Sequence, residues 1–323
     1  MLNWQIIGHK NILNFFENSL NNGKIANSYL FYGPQNVGKT AVALQFIKIL
    51  SCINKTKPCE ECINCKQIEN GIFPDLIKIK REEEKSDISI DQVREMRERL
   101  FKGSFLNFYK IGLIKNAEYL NEGGWNSLLK IMEEPMKKMV IILIANKTDG
   151  IPATILSRCQ KIRFSFLPEK EIYEHIIEKG IHRSEALKIA RFSQGRVGIA
   201  KKIIDDSTFY KKYNDGIKEY LSLFNKNEKL KRKNELAAKM VGERENNGRL
   251  FDVFLLLLRD LMLAKTNLDL IINLEFKEEL LKISEDFSLE KLNSLMEILL
   301  EFKKYLASNV NPKFLMENFI LEM

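Results

Sequence analysis

The sequence predicts an α/β domain built on a parallel sheet, followed by segments made only of helices. Three observations carry this. Gly33-Pro34-Gln35-Asn36-Val37-Gly38-Lys39-Thr40 fits G-x-x-x-x-G-K-[ST] and stands between a strand-like stretch, Ser28 to Tyr32, and a helix candidate, Ala41 to Leu50. Val140 to Ala145 is a continuous apolar run, as expected of a central parallel strand covered on both faces. From Phe209 onward every segment has helical period, with no proline before Pro312. At 323 residues and 45% hydrophobic content the chain exceeds one core and can fill two or three. The expected boundaries are 1–165 for the sheet domain, 166–207 for a small helical domain and 208–323 for a C-terminal helical domain.

Taken in order, the chain starts with a short arm and an amphipathic helix, with Ile12, Leu13, Phe16 and Leu20 at helical spacing and Asn21-Asn22-Gly23 to end it. The glycine-rich loop follows the first strand. Its glycines turn successive N–H groups toward an anion, the next helix adds its positive end, Lys39 reaches the outer phosphates, and Thr40 offers a hydroxyl to magnesium. Next comes Cys52-x6-Cys59-x2-Cys62-x2-Cys65, four thiolates that can surround one tetrahedral Zn²⁺. With every position filled by protein, such a site is closed and structural, and it supplies folding free energy of ~10 kcal/mol or more in small zinc modules. An iron–sulfur cluster is the rival, but the bacterial ferredoxin spacing places its odd cysteine last and follows it with proline.

Pro74 to Lys80 alternates like a strand and runs into the charged loop Arg81-Glu82-Glu83-Glu84-Lys85. Asp91 then reads as the N-cap of a helix with Val93, Met96 and Leu100 facing inward. After the strand Lys110 to Ile114, a phosphate-loop ATPase should place an acidic pair, one to hold the magnesium shell and one to polarise water. Lys115-Asn116 stands there instead, and Glu118 lies beyond the strand end at the wrong offset, so the chain is expected not to hydrolyse ATP efficiently by itself. Trp125 to Glu134 forms a helix stopped by Pro135. Asn146 ends the apolar strand on the side where open α/β sheets bind ligands. Arg158, in Ser157-Arg158-Cys159, can cap its own helix or pair with a carboxylate. Phe166-Leu167-Pro168 marks a boundary, and short helices surround Ser193 to Gly198. The basic run Lys226, Lys229, Lys231, Arg232 and Lys233 reads as a solvated helix face, with nucleic-acid contact the alternative.

Composition narrows the function. A net charge of +8 suits a protein that works near nucleic acid without requiring it. The N-terminus lacks the apolar run of a signal peptide, so a cytoplasmic protein is expected, and clustered cysteines in a reducing compartment point to metal. The run Val253 to Leu258 stops at Arg259-Asp260, far short of the ~20 residues a membrane span needs. His9, His175 and His182 are scattered and lack metal or triad spacing, so nothing supports a hydrolytic triad or zinc hydrolase, and no paired aspartates on adjoining strands support polymerase chemistry.

Several of these stretches occur together in one order: Ile7-Gly8-His9, Ala26 to Pro34, the four cysteines, Asn126-Ser127-Leu128-Leu129-Lys130 with Glu133-Glu134-Pro135, and Ser157-Arg158-Cys159. In this the chain resembles the AAA+ clamp-loader subunits of bacterial DNA polymerase III, most strongly from Ile7 to about Phe166. The resemblance implies an AAA+ sheet domain with a zinc-binding insertion, a helical lid and a collar domain for oligomerisation. It implies a place in a hetero-oligomeric ring with delta and tau/gamma subunits that sets a sliding clamp on primed DNA. The chain would then be a component of a nucleotidyltransferase holoenzyme. It further implies that Arg158 is a finger reaching a neighbour's ATP, that Asn146 is a sensor of the γ-phosphate, and that Gly33, Pro34, Gly38, Lys39 and Thr40 line a site where ATP and Mg²⁺ are possible ligands. Hydrolysing siblings carry an acidic pair after the strand and an arginine three residues past the lid glycine. Here those positions are Lys115-Asn116 and Gly198, with Arg196 displaced, which favours a non-hydrolysing subunit over the alternative, an ATPase of the tau/gamma kind or another AAA+ ATPase.

Overall fold

The computed structural model describes residues 2–81, 87–102, 108–225, 229–241, 244–307 and 310–323. The charged loop after Arg81 and Lys226 of the basic run lie outside them. The chain divides into two compact units, one of residues 1–181 and 193–200, the other of 182–192 and 201–323.

The first unit holds helix α1 (Lys10–Asn21), strand β1 (Ser28–Tyr32), α2 (Lys39–Ser51), α3 (Ile63–Glu69), β2 (Leu76–Ile79), α4 (Ile90–Phe101), β3 (Lys110–Lys115), α5 (Glu122–Glu133), β4 (Met139–Ala145), α6 (Ala153–Leu156), β5 (Gln160–Arg163) and α7 (Glu169–Glu178). The five strands are parallel in the order β2-β3-β4-β1-β5, as the expected α/β class requires. The apolar run of β4 is explained by its place, because all seven residues are buried. Ile141, Leu143 and Ala145 pack on one face with α4 and α5, through Val93, Met96, Leu128 and Ile131. Val140, Ile142 and Ile144 pack on the other with Phe16 of α1 and Val42 and Phe46 of α2. Two-residue periodicity sends successive side chains to opposite faces, so a strand covered twice must be apolar throughout.

One local expectation is corrected. The cap of α4 is Ser89, whose hydroxyl accepts from Gln92 N–H while the Gln92 side chain accepts from Ser89 N–H. This reciprocal capping box satisfies two donors that Asp91 would leave open, and Asp91 lies in the first turn instead.

The second unit is helical. It contains α8 (Arg183–Ser193) apart from its last residue, the later part of α9 (Val197–Asp205), α10 (Ser207–Leu223), α11 (Leu230–Met240), α12 (Arg244–Thr266), α13 (Lys277–Glu285), α14 (Leu289–Ala307) and α15 (Pro312–Glu322). Its core gathers Phe224, Phe251, Phe254, Leu257, Leu258 and Phe319, all fully buried. Within the greasy run Val253–Leu258, Phe254, Leu257 and Leu258 point into this core and Val253 and Leu255 pack against it, and among the described residues no helix is long and apolar enough to cross a membrane. Lys229, Lys231 and Arg232 are exposed at the start of α11, which fits a solvated face.

Candidate functional site

The register of the sheet assembles the phosphate loop. Tyr32 pairs with Ala145, so Gly33 and Asn146 leave β1 and β4 side by side at the carboxyl edge. Gly33 has φ 137°, and a Cβ there would lie 2.1 Å from the Phe164 carbonyl oxygen, so only glycine fits. Asn36 and Gly38 are also left-handed, with φ 62° and 104°, and curl the loop into the start of α2. Among the described residues, no carbonyl accepts from the N–H groups of Gln35 to Gly38. These donors, the positive end of α2 and a buried lysine fit an anion of the phosphate kind. Thr40, half-buried in the first turn of α2, supplies the hydroxyl expected beside it.

Lys39 is 6% exposed. Its Nζ donates to the carbonyls of Gly33 at 2.5 Å and Pro34 at 2.6 Å and to Asn146 Oδ1 at 3.2 Å. Burial pushes its amine down to about 8, while the charge of Glu118 pulls the other way. Sequence spacing places Glu118 out of reach, and the structure corrects this. Asn116 adopts φ 57°, the chain makes one 3₁₀ turn over Ala117–Tyr119, and Glu118 comes back beneath Asn146. Its Oε1 accepts from Asn146 N–H at 3.1 Å and Nδ2 at 2.8 Å. The available signal was Asn116 itself, since asparagine tolerates the left-handed region that ends a strand abruptly.

Two further groups brace the loop. His9 Nε2 lies 2.7 Å from the Val37 carbonyl oxygen, its ring edge-on to Phe164 with centroids 4.9 Å apart. Burial lowers its pKa, opposed by that hydrogen bond and by Glu171. Gly198 donates its N–H to the Asn36 carbonyl at 2.7 Å, and a Cβ on residue 198 would come within 3.0 Å of the same oxygen. Arg196 lies over the ring of Phe166, 5.2 Å from its centroid.

Arg158 follows α6 and makes both of the contacts open to it in sequence. Its Nη1 donates to Thr154 O at 3.1 Å, and its Nη2 to Glu133 Oε1 at 3.0 Å. The side chain is 40% exposed and Glu133 50%, so the pair is screened and weak, worth at most about 1 kcal/mol. Elsewhere in this unit, α4 and α5 form a cleft of about 420 Å³ lined by residues that include Arg94, Arg97, Asn126, Ser127 and Lys130. Ser127 Oγ is buried there and has no hydrogen-bond partner among the described residues.

The cysteine module packs on α2. The sulfurs of Cys52, Cys59, Cys62 and Cys65 all lie within 4.8 Å of one another, with Cys52 and Cys62 4.0 Å apart. A tetrahedral ion with Zn–S bonds of about 2.3 Å has edges of about 3.8 Å, so the set fits zinc. Cys62 N–H donates to Cys59 Sγ at 3.3 Å and Cys65 N–H to Cys62 Sγ at 3.4 Å. Burial alone would raise Cys59, but backbone donors from Cys62 and Glu61 outweigh it and bring the thiol down to about 6. Lys48 of α2, buried, pairs with Glu60 and with Glu69 at 2.6 Å, and Asn64 Nδ2 donates to Ser51 O at 2.7 Å. The module is thereby anchored to the same helix whose first turn carries Lys39.

Comparison with known proteins agrees with this geometry. A family model described as DNA polymerase III, delta subunit, matches residues 8–168, and one described as DNA polymerase III, delta subunit, C terminal, matches 217–323. The delta' subunit of DNA polymerase III from Bacillus subtilis (strain 168) is 28% identical over 313 residues, 96% of this chain and 94% of that one. The gamma subunit from Buchnera aphidicola subsp. Schizaphis graminum (strain Sg) is 33% identical over 233 residues, 69% of this chain but 63% of the relative. The tau subunit from Escherichia coli (strain K12) is 32% identical over 211 residues, 62% of this chain and 32% of the relative. The chain thus spans under two thirds of these gamma and tau relatives. The crystal structure of a DNA polymerase III gamma subunit-related protein from Thermotoga maritima shares the fold, with a TM-score of 0.54 at 16% identity over 95% of this chain and 97% of that one. Matched in both of its units and aligned over nearly its whole length with a delta' subunit, the chain belongs to the delta-prime family of DNA polymerase III clamp-loader subunits.

Proposed function

We propose that this chain is the delta-prime subunit of a cytoplasmic clamp loader. It takes one place in a ring with delta and tau/gamma subunits and helps set a sliding clamp on primed DNA. Its AAA+ domain spans 1–165, a lid 166–207 and a collar 208–323. Arg158 serves the neighbouring subunit's ATP as a finger, since its pair with Glu133 is weak enough to give up and its guanidinium is already at the surface. Zn²⁺ on Cys52, Cys59, Cys62 and Cys65 is structural. DNA backbone runs along the cleft of Arg94, Arg97 and Lys130, whose charges suit phosphates without reading bases. The chain contributes no polymerase chemistry to the holoenzyme.

The observation that carries the non-hydrolysing part is the pairing of an intact loop around Lys39 with Lys115 and Asn116 at the end of β3, where hydrolysis needs carboxylates. The loop binds Mg²⁺-ATP through Lys39, Thr40 and its N–H groups, and Asn146 lies at the outer phosphate. One observation favours a second reading, a self-sufficient ATPase of the tau/gamma kind: Glu118 reaches the site after all. Steady-state ATP hydrolysis separates the two. Turnover that appears only on mixing with partner subunits, and falls about 10³-fold in Arg158→Ala, supports the assembly role. Rapid turnover by the purified chain alone, abolished in Lys39→Ala, overturns it.

A further inference from the structure

The hydrogen bonds around Glu118 fix the direction of an amide. A carboxylate only accepts, so the Asn146 nitrogen that meets Glu118 Oε1 at 2.8 Å must be Nδ2. The amide oxygen is then forced outward, where it accepts from Lys39 Nζ at 3.2 Å. With the carbonyls of Gly33 and Pro34, that oxygen closes a cage of three acceptors around the ammonium. An asparagine at the end of this strand would have to present its nitrogen to donate to a phosphate. Here it presents a lone pair, with a carboxylate behind it. The second carboxylate oxygen, Glu118 Oε2, is buried and has no hydrogen-bond partner among the described residues. The arrangement is therefore held from one side only and can be displaced.

We infer that Glu118 is a positioning residue that latches the phosphate loop: it holds Asn146 in the orientation that cages Lys39, and a nucleoside triphosphate binds only by opening that cage and turning the Asn146 amide over. The latch rests on the reading of the loop as a nucleotide site. It gives the pocket a lower affinity than its motif alone would provide, because part of the binding energy is spent on reorienting two side chains and bringing a polyanion near Glu118.

The test uses the full chain with Glu118→Gln, which keeps the size of the side chain, removes its charge and accepts either amide orientation. Two measurements are made on wild type and variant. One is equilibrium titration with ATP, with and without Mg²⁺. The other is the rate at which an amine-reactive ester labels Lys39 without nucleotide, read by mass spectrometry with Lys48 as internal control. The expected result is ATP bound about tenfold more tightly by the variant, with Lys39 labelled several-fold faster and Lys48 unchanged. Unchanged affinity with unchanged Lys39 labelling overturns the latch and leaves the nucleotide site intact. Affinity that falls only in the presence of Mg²⁺ also overturns it, since Glu118 would then serve the metal. Faster Lys39 labelling with no ATP binding by either protein supports the cage but refutes the nucleotide reading.

Discussion

Helix α2 carries two buried lysines, and they are satisfied in opposite ways. Lys48, 3% exposed, meets the carboxylates of Glu60 and Glu69. Burial works against its charge, but those two partners outweigh it and raise its pKa. Lys39, 6% exposed at the other end, touches only neutral oxygens, and burial prevails there. The difference separates a strut from a site. A buried cation with its own counter-ions is complete, and Lys48 uses that completeness to tie the cysteine module to the sheet unit. A buried cation without a contacting anion retains an unmet electrostatic demand that a phosphate can answer.

Asp260 shows that burial of a charge alone is not the criterion, and it offers the largest expected effect. It is fully buried in the helical unit and accepts from Ile272 N–H, from Asn273 N–H at 2.9 Å and from Asn273 Nδ2 at 2.9 Å. These donors pin the segment after α12, so the residue acts as an internal brace. Asp260→Ala should cost about 3 kcal/mol in urea denaturation, because it leaves those donors without an acceptor. Nucleotide titration should not change. A loss under 1 kcal/mol would show that water replaces the carboxylate there.

The same substitution at the two lysines sharpens the contrast. Lys48→Met should destabilise the sheet unit by about 2 kcal/mol, a figure held down because Glu60 is 25% exposed, and should speed proteolysis between residues 52 and 72 in a zinc-stripped sample. Lys39→Met should change stability by less than about 1 kcal/mol, since its three hydrogen bonds to neutral oxygens and the penalty for burying its charge are removed together. Its triphosphate affinity should nonetheless fall about 100-fold. Equal destabilisation by both would erase the distinction between strut and site.

Much of this was legible in sequence because the physics is local. The glycine-rich loop is spelled by residues that adopt left-handed turns, the four-cysteine cluster by its spacing, and β4 by an apolar run that only a doubly covered strand tolerates. What escaped was set by chain direction after an element ends. Counting along β3 takes Glu118 past the site only if the chain continues straight, whereas Asn116 turns it back. The cap of α4 stands at Ser89, two residues before Asp91, and the apolar pattern of the helix is the same for either. Arg158 could be narrowed to a cap or an ion pair, but Glu133 as its partner depends on how α5 and α6 meet, which no local pattern encodes.

The smallest effect concerns proton binding at Lys39, and its sign can be worked out. The ammonium form attracts phosphate, and in the folded chain it loses its proton near pH 8, below the ordinary lysine value of 10.5. Triphosphate affinity should therefore stay level below about pH 8 and fall by up to about tenfold per pH unit above it. Stability of the nucleotide-free chain runs the other way. The penalty for burying the cation is present in full below about pH 8, and it is relieved as pH rises toward the unfolded value of 10.5. Wild type measured against Lys39→Met isolates both trends, since Lys48 and the groups remote from the loop are common to the two proteins. An affinity difference that stays constant from pH 7 to 9.5 would mean that the backbone donors of Gln35 to Gly38 and the end of α2 hold the anion alone. Lys39 would then be a second strut, and the two ends of α2 would no longer differ in kind.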